Sequence, residues 1–279
     1  NSKKIHIDID ASSINKNVPA DVPIIGDCAY ILEDLLKVWK ARQAKPDGKA
    51  LAAWWDKIET WRARKSFAYK PSSEIIKPQY ALDRLNEKLK GRDDVFITTE
   101  VGQHQMWAAQ HIDIEKPNHW MTSGGLGTMG YGLPAAMGAQ VAHPEGLCID
   151  VAGEASIMMN IQEMSTIAQY RLPVKVFILN NQYLGMVRQW QELNHGGRYA
   201  ESYINSLPDF KMLAEAFGGI GLTANKPGEV DDVIGEMLAA DRAVIANVYI
   251  DPTENCFPMI PSGSAHNEML LGPEDIAVD

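Results

Sequence analysis

The chain has 279 residues, of which 46% are hydrophobic, and its net charge at pH 7 is −10. This length allows one large domain or two domains with a substantial buried core. The acidic balance, with Lys and Arg scattered along the chain, argues against a nucleic-acid partner.

The sequence also argues against a membrane partner, because no apolar run approaches the roughly 20 residues of a membrane span. The three cysteines, Cys28, Cys148 and Cys256, are far apart and form neither a CxxC pair nor a disulfide ladder. This usage is typical of a reducing compartment. We therefore expect a soluble cytoplasmic protein.

The first forty residues resemble the end of a domain. The chain begins at Asn1 without an initiator Met, and residues 4–10 already alternate polar and apolar side chains. Residues 21–26 form a second short apolar stretch, and residues 29–40 have helical spacing. We expect that the earlier part of this domain precedes the chain.

A connecting segment is predicted at residues 41–78, where Lys, Arg, Ala, Pro and Trp become frequent. Its aromatic and aliphatic side chains share one helical face, namely Trp54, Trp55, Ile58 and Trp61. We expect this face to pack on a neighbouring part of the protein. A basic membrane-surface helix is the alternative, and the mixed charge disfavours it.

Residues 79–89 are predicted as an amphipathic helix and residues 95–100 as a strand. Immediately after that strand, Gln103 and His104 belong to the stretch VGQHQMW, a dense group of hydrogen-bond donors and acceptors that could face a phosphate. The alternative for a single His is an ordinary hydrogen-bonded loop residue.

A glycine-rich stretch follows at residues 122–134 and leads into an Ala-rich helix at residues 135–142. Its glycines permit positive φ and close approach of the backbone, which a cofactor cradle needs and which tight helix packing also needs. The spacing matches neither the P-loop nor the dinucleotide fingerprint. Generic phosphate loops are therefore disfavoured.

The centre of the chain is predicted as two parallel strands, residues 147–151 and 174–179, joined by a helix that starts with Asn160 as N-cap and Glu163 as its box partner. Only Lys175 is polar in the second strand, as expected for a strand covered on both faces. A right-handed crossover brings the carboxyl ends of both strands to one edge of the sheet.

Glu154 and Asn181 follow these two strands, so we expect their side chains to be neighbours. A carboxylate and an amide oxygen suit Mg²⁺, which is usually held by one or two side chains together with substrate phosphates. The alternative is an N-cap acid and a turn-forming Asn.

The remaining elements complete an α/β domain. A helix beginning at residue 184 directs Met186, Arg188 and Trp190 toward the same edge, although Met and Trp at helical spacing often belong to a core. Helices are predicted at residues 209–217 and 228–240, and a buried strand at 244–250. Residues 256–279 are expected to form a tail over the surface.

Together these motifs resemble a known family. Gly-Glu-Ala-Ser at Gly153, followed about 27 positions later by the Asn-Asn pair that contains Asn181, resembles the diphosphate and Mg²⁺ motif of thiamine-diphosphate enzymes. The stretches VGQHQMW, SGGLGTMG and NNQYLGMVRQWQ resemble the large catalytic subunit of acetohydroxyacid synthase (acetolactate synthase) in particular.

The resemblance implies a fold and a domain order. The fold is an open, mostly parallel sheet with helices on both faces. Residues 1–40 would end a middle domain of the FAD-binding type, residues 41–78 would connect, residues 79–255 would bind thiamine diphosphate and Mg²⁺, and residues 256–279 would be the C-terminal tail. The chain would then be the carboxyl-terminal portion of a protein about twice as long.

The resemblance also implies an activity, in which pyruvate is decarboxylated and joined to a second pyruvate or to 2-ketobutyrate in branched-chain amino-acid biosynthesis. The cofactors would be thiamine diphosphate, Mg²⁺ and FAD. The protein would be a homodimer or tetramer, and a small regulatory subunit could bind it.

Site residues follow from the resemblance motif by motif. Mg²⁺ would be held by Glu154, Asn181 and the main-chain carbonyl of Tyr183. The cofactor's diphosphate would be surrounded by Gln103, His104, Ala155, Ser156, Leu184, Gly185 and Met186. Met129, with Gly127 and Thr128, would support the bent cofactor, and Met129, Met186 and Trp190 would be the catalytic set, with Trp190 lining the substrate channel. Asp8 and Asp27 would lie near FAD.

Two departures from the family pattern concern the metal. Glu154 replaces the usual Asp, and Ala155 replaces the usual Gly, which is tolerated where φ is negative.

The family's proton-relay glutamate belongs to an amino-terminal domain and is not in this chain. The alternatives are a sibling enzyme, such as a glyoxylate carboligase or pyruvate oxidase, and a non-catalytic assembly module with the same fold.

Overall fold

The structure of the chain, a computed structural model, describes residues 2–43 and 45–275. The chain divides into two compact units, residues 1–65 and 66–279. The predicted connecting segment 41–78 is therefore divided between the two units. Each unit is described by itself.

The first unit contains two short strands and two helices. The strands β1 and β2 pair in parallel, and Asp27 and Asp47 cap the two helices that follow by accepting main-chain N–H bonds. The bounds are β1 Ile5–Asp8, β2 Val22–Ile25, α1 Cys28–Arg42 and α2 Gly48–Arg62. Trp54, Trp55 and Trp61 of α2 are each about half exposed. The strands and helices predicted in this part of the sequence are thus present.

The second unit is built on a sheet of six parallel strands in the order β4-β3-β5-β6-β8-β7. The strands are β3 Val95–Thr99, β4 Trp120–Thr122, β5 Leu147–Ala152, β6 Lys175–Asn180, β7 Ile220–Ala224 and β8 Val244–Tyr249. Its helices are α3 Pro78–Leu89, α4 Gln103–His111, α5 Gly132–Ala142, α6 Glu154–Ile157, α7 Glu163–Gln169, α8 Gly185–Asn194, α9 Phe210–Ala216 and α10 Val230–Ala239.

Helices cover both faces of the sheet, so alternate residues of the central strands enter two different cores. On one face Phe177 of β6 packs with Leu85 of α3 and Ile234 of α10. On the other face Ile178 packs with Leu133 of α5. Burial on both faces explains why residues 176–179 of β6 are all apolar. The predicted open α/β fold with helices on both faces is confirmed.

Lys175 is the exception in β6, and its side chain is buried at the amino end of that strand. Its Nζ donates to the carbonyl oxygens of Ala240 and Arg242, both at 2.8 Å. These carbonyls follow α10, so the ammonium group satisfies acceptors that the end of this helix leaves free. The charge lies at the edge opposite the predicted site.

Four elements of this unit were not predicted, namely β4, β7, α4 and α6. The predicted helix start at Asn160 is also wrong, because α7 begins at Glu163 and its N-cap is Gln162. The Asn160 side chain instead donates to the carbonyl oxygen of Gly130 at 2.7 Å. The Asn160 side chain therefore bonds to the glycine-rich stretch and does not cap the helix.

Within the described ranges, no helix combines the length and the apolar character that a membrane crossing requires.

Candidate functional site

A pocket of about 270 Å³ lies where β3, β5 and β6 end. These strands are adjacent and parallel, so the segments that follow them converge on one edge of the sheet. Ligands of open α/β sheets bind at this edge. The lining includes Gln103, His104, Gly127, Met129, Glu154, Ala155, Ser156, Asn181, Tyr183, Leu184, Gly185 and Met186.

Glu154 begins α6 directly after β5 and is only 1% exposed. Burial raises the pKa of its carboxyl group to about 7, although main-chain N–H groups of Glu154 itself and of residues 181–183 lower it. One carboxyl oxygen, Oε1, has no hydrogen-bond partner among residues 2–43 and 45–275. Such an unpartnered buried oxygen is costly unless a ligand satisfies it.

Asn181 follows β6 and lines the same pocket. Its Nδ2 donates to Oε1 of Gln103 at 3.0 Å, and its Oδ1 accepts from the main-chain N–H of Tyr183 at 3.1 Å. An amide oxygen has two lone pairs, so Oδ1 can accept one further interaction. The expected convergence of Glu154 and Asn181 on one edge of the sheet is confirmed.

The donor set fits a hard divalent cation. A carboxylate oxygen and an amide oxygen are ligands that Mg²⁺ prefers, and Mg²⁺ often relies on few protein ligands and on substrate phosphates. In the part of the chain that the structure describes, no three His, Cys, Asp or Glu side chains form a metal cluster. A cation here would thus need oxygens from a bound ligand as well.

Ala155, which departs from the family pattern, lies inside α6. It is not among the residues with positive φ, so its methyl group causes no backbone strain. The condition under which Ala155 is tolerated is met.

His104 lies at the start of α4 with its ring against two glycines. A Cβ at Gly153 would lie 2.6 Å from Nδ1 of His104, and one at Gly102 would lie 2.8 Å from its Cε1. Burial lowers the pKa of His104 to about 3, so the ring is neutral at pH 7. Its Nε2 has no partner within the described residues. A neutral ring nitrogen in this position can bond a polar ligand group. His104 therefore belongs to a helix start rather than to a loop.

The glycine-rich stretch passes the pocket before α5. Gly127 and Gly130 have positive φ, of 75° and 86°. At Gly130 an added Cβ would also lie 2.8 Å from Nδ2 of Asn160. Both a left-handed backbone and a close neighbour therefore require glycine at this position.

Two buried carboxyl groups under this stretch, Glu100 and Asp150, were not predicted as important. Glu100 accepts hydrogen bonds from Ser156 Oγ at 2.7 Å, Gly130 N at 2.6 Å and Leu133 N at 3.0 Å. It thus joins the glycine-rich stretch to the segment that carries Glu154. Burial raises the pKa of Glu100, whereas these bonds lower it.

Asp150 lies in the middle of β5 and is 0% exposed. Burial first, and then the charge of Glu100, raise its pKa well above the usual range. Its Oδ1 accepts from Thr98 Oγ1 at 3.1 Å, and its Oδ2 is unpartnered among the residues described. The available signal in the sequence was an acidic residue within one apolar strand, Asp150 in β5, and another directly after a buried strand, Glu100 after β3.

The other predicted site residues divide into two groups. Met129, Leu184 and Met186 line the pocket, whereas Thr128 and Trp190 are not among its lining residues. Trp190 lies about one turn beyond Met186 on α8 and is 52% exposed.

Asp8 and Asp27 belong to the first unit. Asp8 accepts from the main-chain N–H of Asp10 at 2.8 Å, and Asp27 caps α1. The structure gives both a local role, and a role near FAD stays a prediction.

Comparison with known families adds a decisive observation. Residues 100–248 match the family model described as "Thiamine pyrophosphate enzyme, C-terminal TPP binding domain". The chain belongs to this family. The matched residues include β5 and β6, two of the three strands that end at the pocket, and the segments that follow all three strands. The cofactor named by the family therefore agrees with the position of the pocket.

Individual relatives are acetolactate synthase large subunits. The chain is 46% identical over 274 residues to acetolactate synthase isozyme 3 large subunit of Escherichia coli (strain K12). The aligned region covers 97% of the chain and 47% of that protein. It is 43% identical over 272 residues to the acetolactate synthase large subunit of Haemophilus influenzae, with 97% and 47% covered. It is 41% identical over 271 residues to that of Porphyra purpurea, with 97% and 45% covered. The chain thus spans about half the length of the curated relatives it matches.

Proposed function

We propose that this chain forms the thiamine-diphosphate and Mg²⁺ site of an acetohydroxyacid synthase, which condenses pyruvate with pyruvate or 2-ketobutyrate. The observation that carries the proposal is the unpartnered, buried carboxylate oxygen of Glu154 beside Asn181 in a pocket at the carboxyl edge of the sheet. The resemblance of the whole chain to acetolactate synthase large subunits supports the choice of reaction.

The chain's own residues hold and orient the cofactor. Glu154, Asn181 and the carbonyl oxygen of Tyr183 would hold Mg²⁺, which would neutralise the cofactor's diphosphate. His104 and Ser156 would face the diphosphate, and the neutral ring of His104 supplies a polar nitrogen without a competing positive charge. Thiamine diphosphate supplies the carbanion chemistry of decarboxylation and carbon–carbon bond formation.

Apolar side chains also line the pocket. Met129 and Met186 are among them, and they would exclude water from the reacting end of the cofactor. Trp190, half exposed on the next turn of α8, contacts the second 2-ketoacid at the entrance. Position, charge neutralisation and a dry pocket are what a protein provides to such a cofactor.

Other parts of the proposal concern the complete protein. The proton-relay glutamate and most of the FAD site come from domains outside this chain, and Asp8 and Asp27 contribute to the FAD side. The complete protein assembles as a homodimer or tetramer and acts in branched-chain amino-acid biosynthesis in the cytoplasm. A small regulatory subunit is a further proposed partner.

The test uses the full-length protein that contains this chain, supplied with thiamine diphosphate, Mg²⁺ and FAD. Acetolactate formed from pyruvate is measured for the wild type, for Glu154→Ala and for Glu145→Ala, whose exposed carboxylate lies in the turn before β5. We expect activity in the wild type and the control, and a loss of about 100-fold or more in Glu154→Ala. A wild type that binds the cofactor but forms no acetolactate would refute the proposal.

The same preparation separates the alternatives. Product from glyoxylate rather than from pyruvate would indicate a sibling carboligase. A wild type that fails to bind thiamine diphosphate by calorimetry, with or without Mg²⁺, would instead indicate a non-catalytic assembly module.

A further inference from the structure

A series of three hydrogen-bonded side-chain amides, those of Asn181, Gln103 and Gln189, extends inward from the proposed metal site. Gln103 is 3% exposed, and its Nε2 donates to Gln189 Oε1 at 2.8 Å and to the carbonyl oxygen of Glu254 at 3.2 Å. Its Oε1 accepts from Asn181 Nδ2 at 3.0 Å. Turning the Gln103 amide over would place donor against donor at Asn181 and acceptor against acceptor at Gln189. The orientation of Gln103 is therefore fixed at both ends.

Gln189, on α8, is 1% exposed and is fixed in turn by the main chain of Cys256. Its Nε2 donates to the carbonyl oxygen of Cys256 at 3.1 Å, and its Oε1 accepts from the N–H of Cys256 at 2.8 Å. Because the amide nitrogen of Gln189 must donate and its oxygen must accept at the same residue, the Gln189 amide has a single orientation. The series thus begins at the backbone of the C-terminal segment and ends at Asn181.

The orientation of Asn181 decides whether it can bind a cation. Gln103 holds Nδ2, and the N–H of Tyr183 donates to Oδ1, so the second lone pair of Oδ1 is left for a metal ion. A reversed amide would present N–H donors to the cation, which would repel it. The free energy of metal binding therefore depends on a bond that Asn181 makes away from the metal, as for ligands oriented by outer hydrogen bonds in other metal sites.

Gly185 shows how closely this link is packed. An added Cβ at Gly185 would lie 2.1 Å from Gln103 Oε1 and 2.7 Å from Asn181 Nδ2. The hydrogen bond between Gln103 and Asn181 therefore occupies the space where a side chain would otherwise stand. Glycine at this position is explained by the amide series itself.

We propose that Gln189 is a positioning residue for the metal site, which fixes the amide of Asn181 through Gln103 and connects it to the C-terminal segment at Cys256. This inference rests on the proposed function, since it assigns a metal ion to Asn181. It makes metal affinity depend on a residue that touches neither the metal nor the cofactor.

The test measures binding of Mn²⁺, as a substitute for Mg²⁺, to the full-length protein at saturating thiamine diphosphate. Free Mn²⁺ is followed by electron paramagnetic resonance, which does not depend on activity. Gln189→Met keeps the size of the side chain and removes its hydrogen bonds. We expect its Kd for Mn²⁺ to rise about tenfold, as is typical when the outer partner of a metal ligand is lost.

Gln140→Met is the matched control. Gln140 is also 1% exposed and donates to three main-chain carbonyls, those of His143, Pro144 and Gly146. It lies in the last turn of α5, and its partners precede β5, at the edge of the sheet opposite the pocket. We expect this variant to lower the Tm while its Kd for Mn²⁺ stays within twofold of the wild type, which separates positioning from general stability.

A double-mutant cycle tests the route through Gln103. If Gln189 acts through Gln103, then Gln189→Met has no further effect on Kd in a Gln103→Met background. Should Gln189→Met not fold, Gly185→Ala interrupts the same link at its other end and must raise Kd about tenfold. A Kd within twofold of the wild type in Gln189→Met or Gly185→Ala, or fully multiplicative effects in the cycle, would overturn the inference. A wild type that binds no Mn²⁺ with thiamine diphosphate would overturn the proposed function itself.

Discussion

Replacing Asp150 by Asn should make the protein more stable relative to the wild type as the pH rises. Asp150 lies buried in β5, near enough to Glu100 for the Glu100 charge to raise its pKa, and its Oδ2 has no partner in the described part of the chain. The Thr98 hydroxyl that donates to Oδ1 can equally donate to the amide oxygen of Asn. The substitution therefore removes a charge that the fold disfavours and keeps the one bond that the structure shows.

The magnitude follows from one proton. An unfolded Asp loses its proton near pH 3.8, whereas burial and the charge of Glu100 raise the pKa of Asp150 in the native state. Between these two pKa values the native state holds one proton more than the unfolded state, so the free energy of unfolding falls with pH. The slope is about 1.4 kcal/mol per pH unit, and Asp150→Asn lacks this contribution.

The assay is urea unfolding of the wild type and Asp150→Asn, followed by circular dichroism at about pH 5.5, 6.5 and 7.5. The difference in free energy between variant and wild type should grow by up to about 1.4 kcal/mol at each step. Asp231→Asn is the control. The bond from Arg84 lowers the pKa of Asp231, so the stability that this pair contributes is lost only at acid pH, as the pH falls through the lowered pKa. The difference between this variant and the wild type should therefore stay constant across the three pH values. A difference between Asp150→Asn and the wild type that stays constant with pH would refute the reasoning.

Three further predictions concern the second unit, each measured by urea unfolding against the wild type. Ser156→Ala removes the hydroxyl that donates to Glu100 at 2.7 Å, so the free energy of unfolding should fall by about 1–3 kcal/mol. Burial lowers the pKa of Lys175 from 10.5 in the unfolded chain to about 8 in the native state. Between these two values the unfolded state holds one proton more, so the free energy of unfolding of the wild type should rise with pH, and Lys175→Met should lack that rise. Phe177→Ala should cost about 3–5 kcal/mol, because Phe177 is 0% exposed in the core and its removal leaves a cavity. Unchanged denaturation midpoints in Ser156→Ala or Phe177→Ala, or parallel pH profiles for Lys175→Met, would contradict these expectations.

The sequence predicted those parts of the fold whose burial is apolar and regular. Strands β5 and β6 are covered on both faces, so their sequences are hydrophobic runs that are easily recognised although each contains one charged residue, Asp150 or Lys175. Glu154 and Asn181 could be placed from this alone, because parallel strands put their carboxyl ends on one edge of the sheet.

Elements whose packing depends on polar or very small residues escaped prediction. The buried side of α4 includes Gln103 and His104 beside Trp107, so its hydrophobic periodicity is weak. A glycine such as Gly221 suggests a turn, yet it lies within β7. Glycine is needed there because the main chain of Lys211 in α9 is so close that a Cβ would lie 2.4 Å from it. Both features depend on neighbours that are distant in sequence, which a local pattern cannot contain.

The charge balance of the pocket has a consequence for the order of binding. In the described residues the proposed cation site offers one carboxylate, Glu154, and otherwise the neutral oxygens of Asn181 and Tyr183. A second buried acid beside Glu154 would disfavour the charged carboxylate there, as the charge of Glu100 raises the pKa of Asp150. One carboxylate leaves part of a divalent charge unbalanced, and the cofactor's diphosphate can balance it. We therefore expect Mn²⁺ to bind at least tenfold more weakly without thiamine diphosphate than with it, and the cofactor to show the same dependence on metal, because coupling between two ligands is reciprocal. Equal Mn²⁺ affinity with and without the cofactor, measured by paramagnetic resonance, would mean that the protein alone balances the ion.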